Sequence, residues 1–130
     1  MSKRVPGRAV QHRTAGPYSP VLEIEPGQLV VLSGQVAVDL DGNVKGHDIE
    51  EQSRTTLENC CRLLGDAGCT PSDVFKVNVY LQDIADWGGF NAVYETVFCK
   101  PYPARTAIQA VLLPGFKVEV ELWAAKSQSV

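Results

Sequence analysis

The run Pro103-Ala104-Arg105-Thr106-Ala107-Ile108-Gln109-Ala110-Val111-Leu112-Leu113 carries a single charge, Arg105, in an otherwise uncharged, strand-like stretch. A guanidinium keeps its proton inside a protein, so Arg105 must be answered by a carboxylate, by water or by an anionic ligand. The nearest carboxylates in sequence are Glu119 and Glu121, in Lys117-Val118-Glu119-Val120-Glu121-Leu122-Trp123. Two chemistries stay open: a structural ion pair, or an anion site that awaits its ligand. Other chemistry has little material. The histidines, His12 and His47, are isolated, which leaves nothing for a histidine metal site or a catalytic triad. Cys60, Cys61, Cys69 and Cys99 include no pair with the spacing of a zinc or redox motif, and they read as small buried hydrophobes.

The elements that must position these residues follow from periodicity. Residues 28–38 are rich in β-branched side chains and read as a strand whose apolar first half is covered on both faces or lies at an interface. Asp48 begins a helix as N-cap, with Glu51 placed to reach back toward the cap, and Gly68 ends it. Ile49, Leu57, Cys60, Cys61, Leu64 and Ala67 form its apolar stripe. Phe75, Val77, Val79 and Leu81 alternate with polar residues, the period of a strand with one covered face. Asp83 caps a second helix that buries Trp87, Phe90, Val93, Tyr94, Val97 and Phe98, and Gly88 and Gly89 permit close packing or a break in its first turns. Two strands, about 104–112 and 117–125, flank the loop Leu113-Pro114-Gly115-Phe116. The order is α+β, with the helices on one face of a single sheet.

A chain of 130 residues makes one small domain that gains stability by oligomerising. Twelve basic and fifteen acidic residues give a net charge of −3, which argues against a nucleic-acid partner. The exception is local: Lys3, Arg4, Arg8, His12 and Arg13 make residues 1–13 a basic arm, expected to be solvated. The N-terminus lacks the apolar stretch of about 7 residues that a secretory signal needs. No window approaches the roughly 20 apolar residues of a membrane-spanning helix. A soluble, cytoplasmic protein with no membrane partner is the expectation.

Gly16-Pro17-Tyr18-Ser19-Pro20, Ser33-Gly34-Gln35, Asn91-Ala92-Val93-Tyr94-Glu95, Pro103-Ala104-Arg105 and Val118-Glu119-Val120-Glu121 occur in an order and spacing that resemble the RidA (YjgF/YER057c/UK114) family. The resemblance covers residues 14–126, with 1–13 as the arm and 127–130 as a C-terminal tail. It implies a chorismate-mutase-like α+β subunit, a mixed β-sheet with two helices on one face, assembled as a homotrimer with ligand clefts between subunits. It implies hydrolysis of reactive 2-imino acids and their enamine tautomers to 2-oxo acids and ammonia, with no metal or organic cofactor. Matched residue by residue, Arg105 binds the substrate carboxylate and Glu119 positions the attacking water, while Tyr18, Ser33, Gly34 and Asn91 line the cleft. Thr106, Ala107, Val111 and the short Pro114–Phe116 loop depart from the family pattern. Ala107 stands where some members direct a cysteine into the cleft, which opens space for a larger imine or enamine. A small-carboxylate-binding regulatory or chaperone-like module on the same trimer is the competing function.

Overall fold

The computed structural model describes residues 3–13, 16–25 and 27–127. Two helices, α1 (Ile49–Asp66) and α2 (Trp87–Val97), pack on one face of a mixed four-stranded sheet. Its strands are β3 (Leu29–Gln35), β4 (Val74–Leu81), β5 (Ala104–Gln109) and β6 (Val118–Ala125), in the spatial order β3-β6-β4-β5. Only the β4–β5 pair is parallel. The expected α+β architecture is present.

The α1 boundaries follow from their caps. Asp48 accepts from the Glu51 amide at 2.8 Å, and Glu51 accepts from the His47 amide at 3.0 Å, so two amides at the helix start are satisfied. At the other end Gly68 adopts φ +80°, which lets its amide reach the Gly65 carbonyl at 3.0 Å and the Cys69 amide reach the Leu64 carbonyl at 2.8 Å. This double closure stops the helix. The α1 stripe differs from expectation: Gln52, Ser53 and Thr56 are buried on it, while Cys61 and Ala67 are half-exposed. Gln52 is paired inside, donating to the carbonyls of Gly46 and Gly115 at 3.2 and 2.9 Å and accepting from the Lys117 amide at 2.8 Å. It ties two loops to the helix.

Asp83 caps a single 3₁₀ turn, Ile84–Asp86, by accepting from the Ala85 amide, and α2 proper starts one turn later than the cap suggests. The two α2 glycines separate. A Cβ on Gly89 would lie 2.6 Å from Ile49 Cγ2 and 2.7 Å from Glu50 Oε1, whereas one on Gly88 meets nothing. Gly89 is therefore where α2 approaches α1. Alternation then sorts the sheet: Val77, Val79, Leu81, Val118, Val120 and Leu122 are fully buried against Leu57, Leu64, Phe90 and Tyr94. Asn78, Tyr80, Glu119, Glu121 and Trp123 alternate with them and emerge on the other face, which no helix covers. On β3, Leu29 and Val31 are 57% and 59% exposed in the single chain.

Part of the basic arm is built into the domain. β1 (Lys3–Arg4) pairs antiparallel with β2 (Glu23–Ile24), and Lys3 is buried with Nζ donating to the Val74 carbonyl at 2.5 Å. The expectation of a solvated arm fails at Lys3 because its stem is covered and its ammonium has an acceptor. Met1, Ser2, Thr14 and Ala15 lie outside the described residues, as do residues 128–130 of the C-terminal tail. Ser127 donates to Asp73 at 2.9 Å. Of the free cysteines, Cys60 and Cys69 are buried as expected, but Cys61 is half-buried and Cys99 is exposed just past the end of α2. Burial pushes the Cys60 thiol up to about 12.

Two measurements check this packing. Urea unfolding of Gly89→Ala is expected to show a loss of about 1–3 kcal/mol from overpacking, while Gly88→Ala gains a few tenths to about 1 kcal/mol of helix propensity. Desolvation lowers Lys3 from 10.5 to about 8. Between those values the unfolded chain binds more protons than the folded one, so stability rises with pH across that window. The rise is absent from Lys3→Met.

Candidate functional site

Arg105 sits on the edge strand β5 opposite Val77 of β4, in parallel register. Paired residues share a face, so its side chain leaves the sheet on the helix side and runs under α2. There Nη1 donates to Asn91 Oδ1 at 2.8 Å. The guanidinium carbon lies 4.8 Å from the ring centroid of Tyr94, 5.1 Å from that of Trp87 and 5.6 Å from that of Tyr18. These rings turn their negative faces to the cation and replace part of its lost hydration. Among the described residues the ion pairs are Arg4–Glu23 and Lys45–Asp39, and no carboxylate pairs with Arg105. Nη2 is buried without a hydrogen-bond partner. Burial lowers the arginine's pKa, opposed by interactions with Tyr94, Tyr18 and Glu95. The first of the two open chemistries, an internal ion pair with Glu119 or Glu121, is not what the fold contains.

The turn that covers this cation is held from several sides. Ser19 donates to the Tyr102 carbonyl at 2.5 Å, and its amide donates to the Pro103 carbonyl at 3.1 Å, which docks the segment beside β5. Tyr18 is fixed through its backbone, whose carbonyl accepts from Gln11 Nε2 at 2.8 Å. A Cβ on Gly16 would lie 3.5 Å from Arg105 Nη2, so Gly16 is the backbone that closes over the orphaned nitrogen. Ala107, two residues beyond Arg105 on the same face, packs against the core.

A second cluster forms on the opposite face. Glu119 pairs with Tyr80 across β6–β4 and emerges on the uncovered side of the sheet. It reaches β3, where the register shifts between Leu32 and Gln35 and leaves Ser33 and Gly34 outside the ladder. A Cβ on Gly34 would stand 2.0 Å from Glu119 Oε2, a distance no side chain tolerates. Gly34 is thus the floor on which that carboxylate rests. Glu121 is already engaged: its Oε1 accepts from Tyr80 Oη and, at 3.2 Å, from Asn78 Nδ2. Among the described residues Glu119 receives no hydrogen bond, so of the two carboxylates it is the one available for chemistry.

The predicted site residues therefore fall into two groups. Arg105, Asn91, Tyr18 and Ala107 gather at the β5 edge on the helix side, while Glu119, Ser33 and Gly34 gather toward the β3 edge on the uncovered side. One chain does not bring the groups together. Sequence reading missed the aromatic box around the guanidinium. Trp87 and Tyr94 stood in the α2 apolar stripe, Tyr94 also within Asn91-Ala92-Val93-Tyr94-Glu95, and neither was assigned to the cation. The Tyr80–Glu121–Asn78 cluster was also missed. Its signal was the polar alternation of β4 opposite two glutamates at i and i+2.

Residues 9–126 match the sequence profile of the family described as Endoribonuclease L-PSP. Protein mmf2, mitochondrial, of Schizosaccharomyces pombe is 39% identical over 97% of this chain and 100% of its own length. The 2-iminobutanoate/2-iminopropanoate deaminase of Salmonella typhimurium is 33% identical over 85% of this chain and 88% of its own. Among solved structures, E. coli TdcF with bound serine superposes with a TM-score of 0.70 at 29% identity, covering 86% of this chain and 94% of that one.

Stability separates a functional arginine from a structural one. Removing one partner of a buried ion pair costs about 3–5 kcal/mol. Arg105→Met, which fills the aromatic box without a charge, is expected in denaturant unfolding to match the unmodified protein or exceed it by about 1 kcal/mol.

Proposed function

The chain belongs to the endoribonuclease L-PSP (YjgF/RidA) family, and from that premise we propose that it hydrolyses small 2-imino acids and their enamine tautomers to 2-oxo acids and ammonia. The observation that carries this reading is the buried guanidinium of Arg105, with no carboxylate beside it and with Nη2 unpartnered. A planar fork of this kind meets a substrate carboxylate bidentately and fixes the neighbouring imine carbon. Nη2 lies under Gly16 and Tyr18, so the substrate reaches it as that turn shifts outward.

In the proposed reaction the imine is protonated and its carbon is electrophilic. Water adds to that carbon as the C=N π pair moves to nitrogen. A proton then passes from the new oxygen to the amine, ammonia leaves as the C=O bond forms, and the remaining hydroxyl proton passes to the departing ammonia, which leaves as ammonium. Little base strength is required, and orientation of the water supplies much of the rate. Glu119 is the proposed guide for the water, held in place by the Gly34 backbone. No step calls on a cofactor.

Glu119 and Arg105 lie on opposite faces of one sheet, so the reading requires that the β5 edge of one copy meet the uncovered face of another. Two different surfaces in contact make a heterologous interface, which forms a ring where the rotation between copies closes. A homotrimer with three clefts fits the proposal, and the apolar Leu29, Val31 and Ile108 on or beside the uncovered face are the surface it would bury. The competing binding module draws support from the serine bound to TdcF, a small carboxylate on a related fold.

The test runs an amino-acid oxidase with this protein and follows loss of the imine. Arg105→Ala is expected to lose at least about 100-fold in kcat/KM while remaining assembled. Glu119→Gln should lose turnover yet hold 2-oxo acids as well as before. Full activity in either variant overturns the site, and 2-oxo acid binding by the unmodified protein with no consumption of imine selects the binding module.

A further inference from the structure

The family profile begins at residue 9, yet the preceding residues take part in the site's architecture. β1 is fastened to the domain by its pairing with β2, by Lys3 on the Val74 carbonyl and by the Arg4–Glu23 ion pair at 2.8 Å. From that anchor the chain returns to Tyr18: Gln11 Nε2 donates to the Tyr18 carbonyl at 2.8 Å, and His12 Nε2 stands 3.4 Å from Tyr18 Oη. Residues 3–12 are a strap whose far end braces the tyrosine that lies over Arg105.

Between this strap and the segment before β5 is a cleft of about 550 Å³, with Val5, Gln11 and His12 on the strap side and Lys100 and Tyr102 opposite. That volume lies within the range of small-molecule sites, about 300–1,000 Å³. Gly16 and Tyr18 border the cleft and also cover the guanidinium, so the two spaces share a wall. Among the described residues no acidic one lines it. Its apolar surfaces are Val5 and the tyrosine rings, with Gln11, His12 and Lys100 as polar groups that donate or accept.

We propose that the N-terminal strap completes a side-chain subsite beside Arg105, and that this subsite selects imino acids with a side chain of aromatic size. The inference rests on the deaminase reading. With the substrate carboxylate on Arg105, the group attached next to the imine carbon passes Tyr18 and enters the cleft. A methyl group leaves most of that apolar wall wet, whereas a phenyl or phenol ring covers it. A cationic side chain meets Lys100 and no counter-charge.

The experiment compares kcat/KM for imines generated from alanine, leucine and phenylalanine, and in parallel measures pyruvate and phenylpyruvate binding by calorimetry. The full-length protein is expected to favour the phenylalanine imine over the alanine imine by at least about tenfold. Val5→Trp and Lys100→Trp, which fill the cleft from opposite walls, each reduce that ratio and the affinity for phenylpyruvate by about tenfold. Equal rates on the three imines, or a ratio and a phenylpyruvate affinity untouched by both variants, overturn the subsite. If no imine is consumed, the deaminase reading falls by itself. Weaker phenylpyruvate binding in both variants still supports the cleft in that case, and unchanged binding removes it.

Discussion

Burying a guanidinium without a carboxylate is the constraint around which the rest of this molecule is arranged. Arginine does not escape the cost by giving up its proton, as a buried lysine does. The contrast is present in the same chain: Lys3, also buried, is drawn down to about 8 by desolvation and settles on a single backbone carbonyl. Arg105 instead takes one amide oxygen and three aromatic faces, and one of its nitrogens is left unanswered. Rings hold a cation without neutralising it. A carboxylate in the same place would have neutralised the charge, whereas the rings leave it standing; in the proposed reading an anionic substrate answers it.

That economy dictates the layout of the sheet. The arginine needs walls from α2, so it must lie on the helix side of an edge strand. The available carboxylate must be kept from collapsing onto it, and the opposite face of the sheet does this with β4 between the two strands. Tyr80 and Asn78 engage the neighbouring Glu121, so that of the two like charges on the face Glu119 is the one without a hydrogen-bond partner among the described residues. A side chain at Gly34 would displace the Glu119 carboxylate from the space it occupies. Each half is complete as packing and incomplete as chemistry.

Much of this was legible in the sequence where the signal is local. Asp48, Glu51 and Gly68 bound α1 because capping depends on residues three or four apart, and the β4 alternation reported its two faces from Val77 to Leu81, but not at Phe75, where the register shifts and Val74 is buried instead. Arg105 stood out because a lone charge in a strand has no bland explanation. What failed was non-local. Gln52 reads as a surface residue and is buried because its partners are loops at Gly46 and Gly115. The separation of Arg105 from Glu119 depends on β4 inserting between β5 and β6, and no pattern within either strand announces that. Lys3 deceived because charge predicts exposure, whereas its partner carbonyl lies 71 positions away.

In the proposed reading the strap is where selectivity enters, while Arg105 and Glu119 in the core supply the charge and the water guide. Of the strap, residues 3–8 precede the matched profile, and Gln11 and His12 lie within it. A strand of two residues pinned by one lysine and one ion pair suffices to aim Gln11 and His12 at Tyr18, which with Gly16 borders both spaces. Because that tyrosine touches the guanidinium on one side and the cleft on the other, a change in the strap reaches the site without altering any residue that handles the reacting atoms. In the proposed reading, substrate range can then vary through the strap while Arg105 and Glu119 stay as they are.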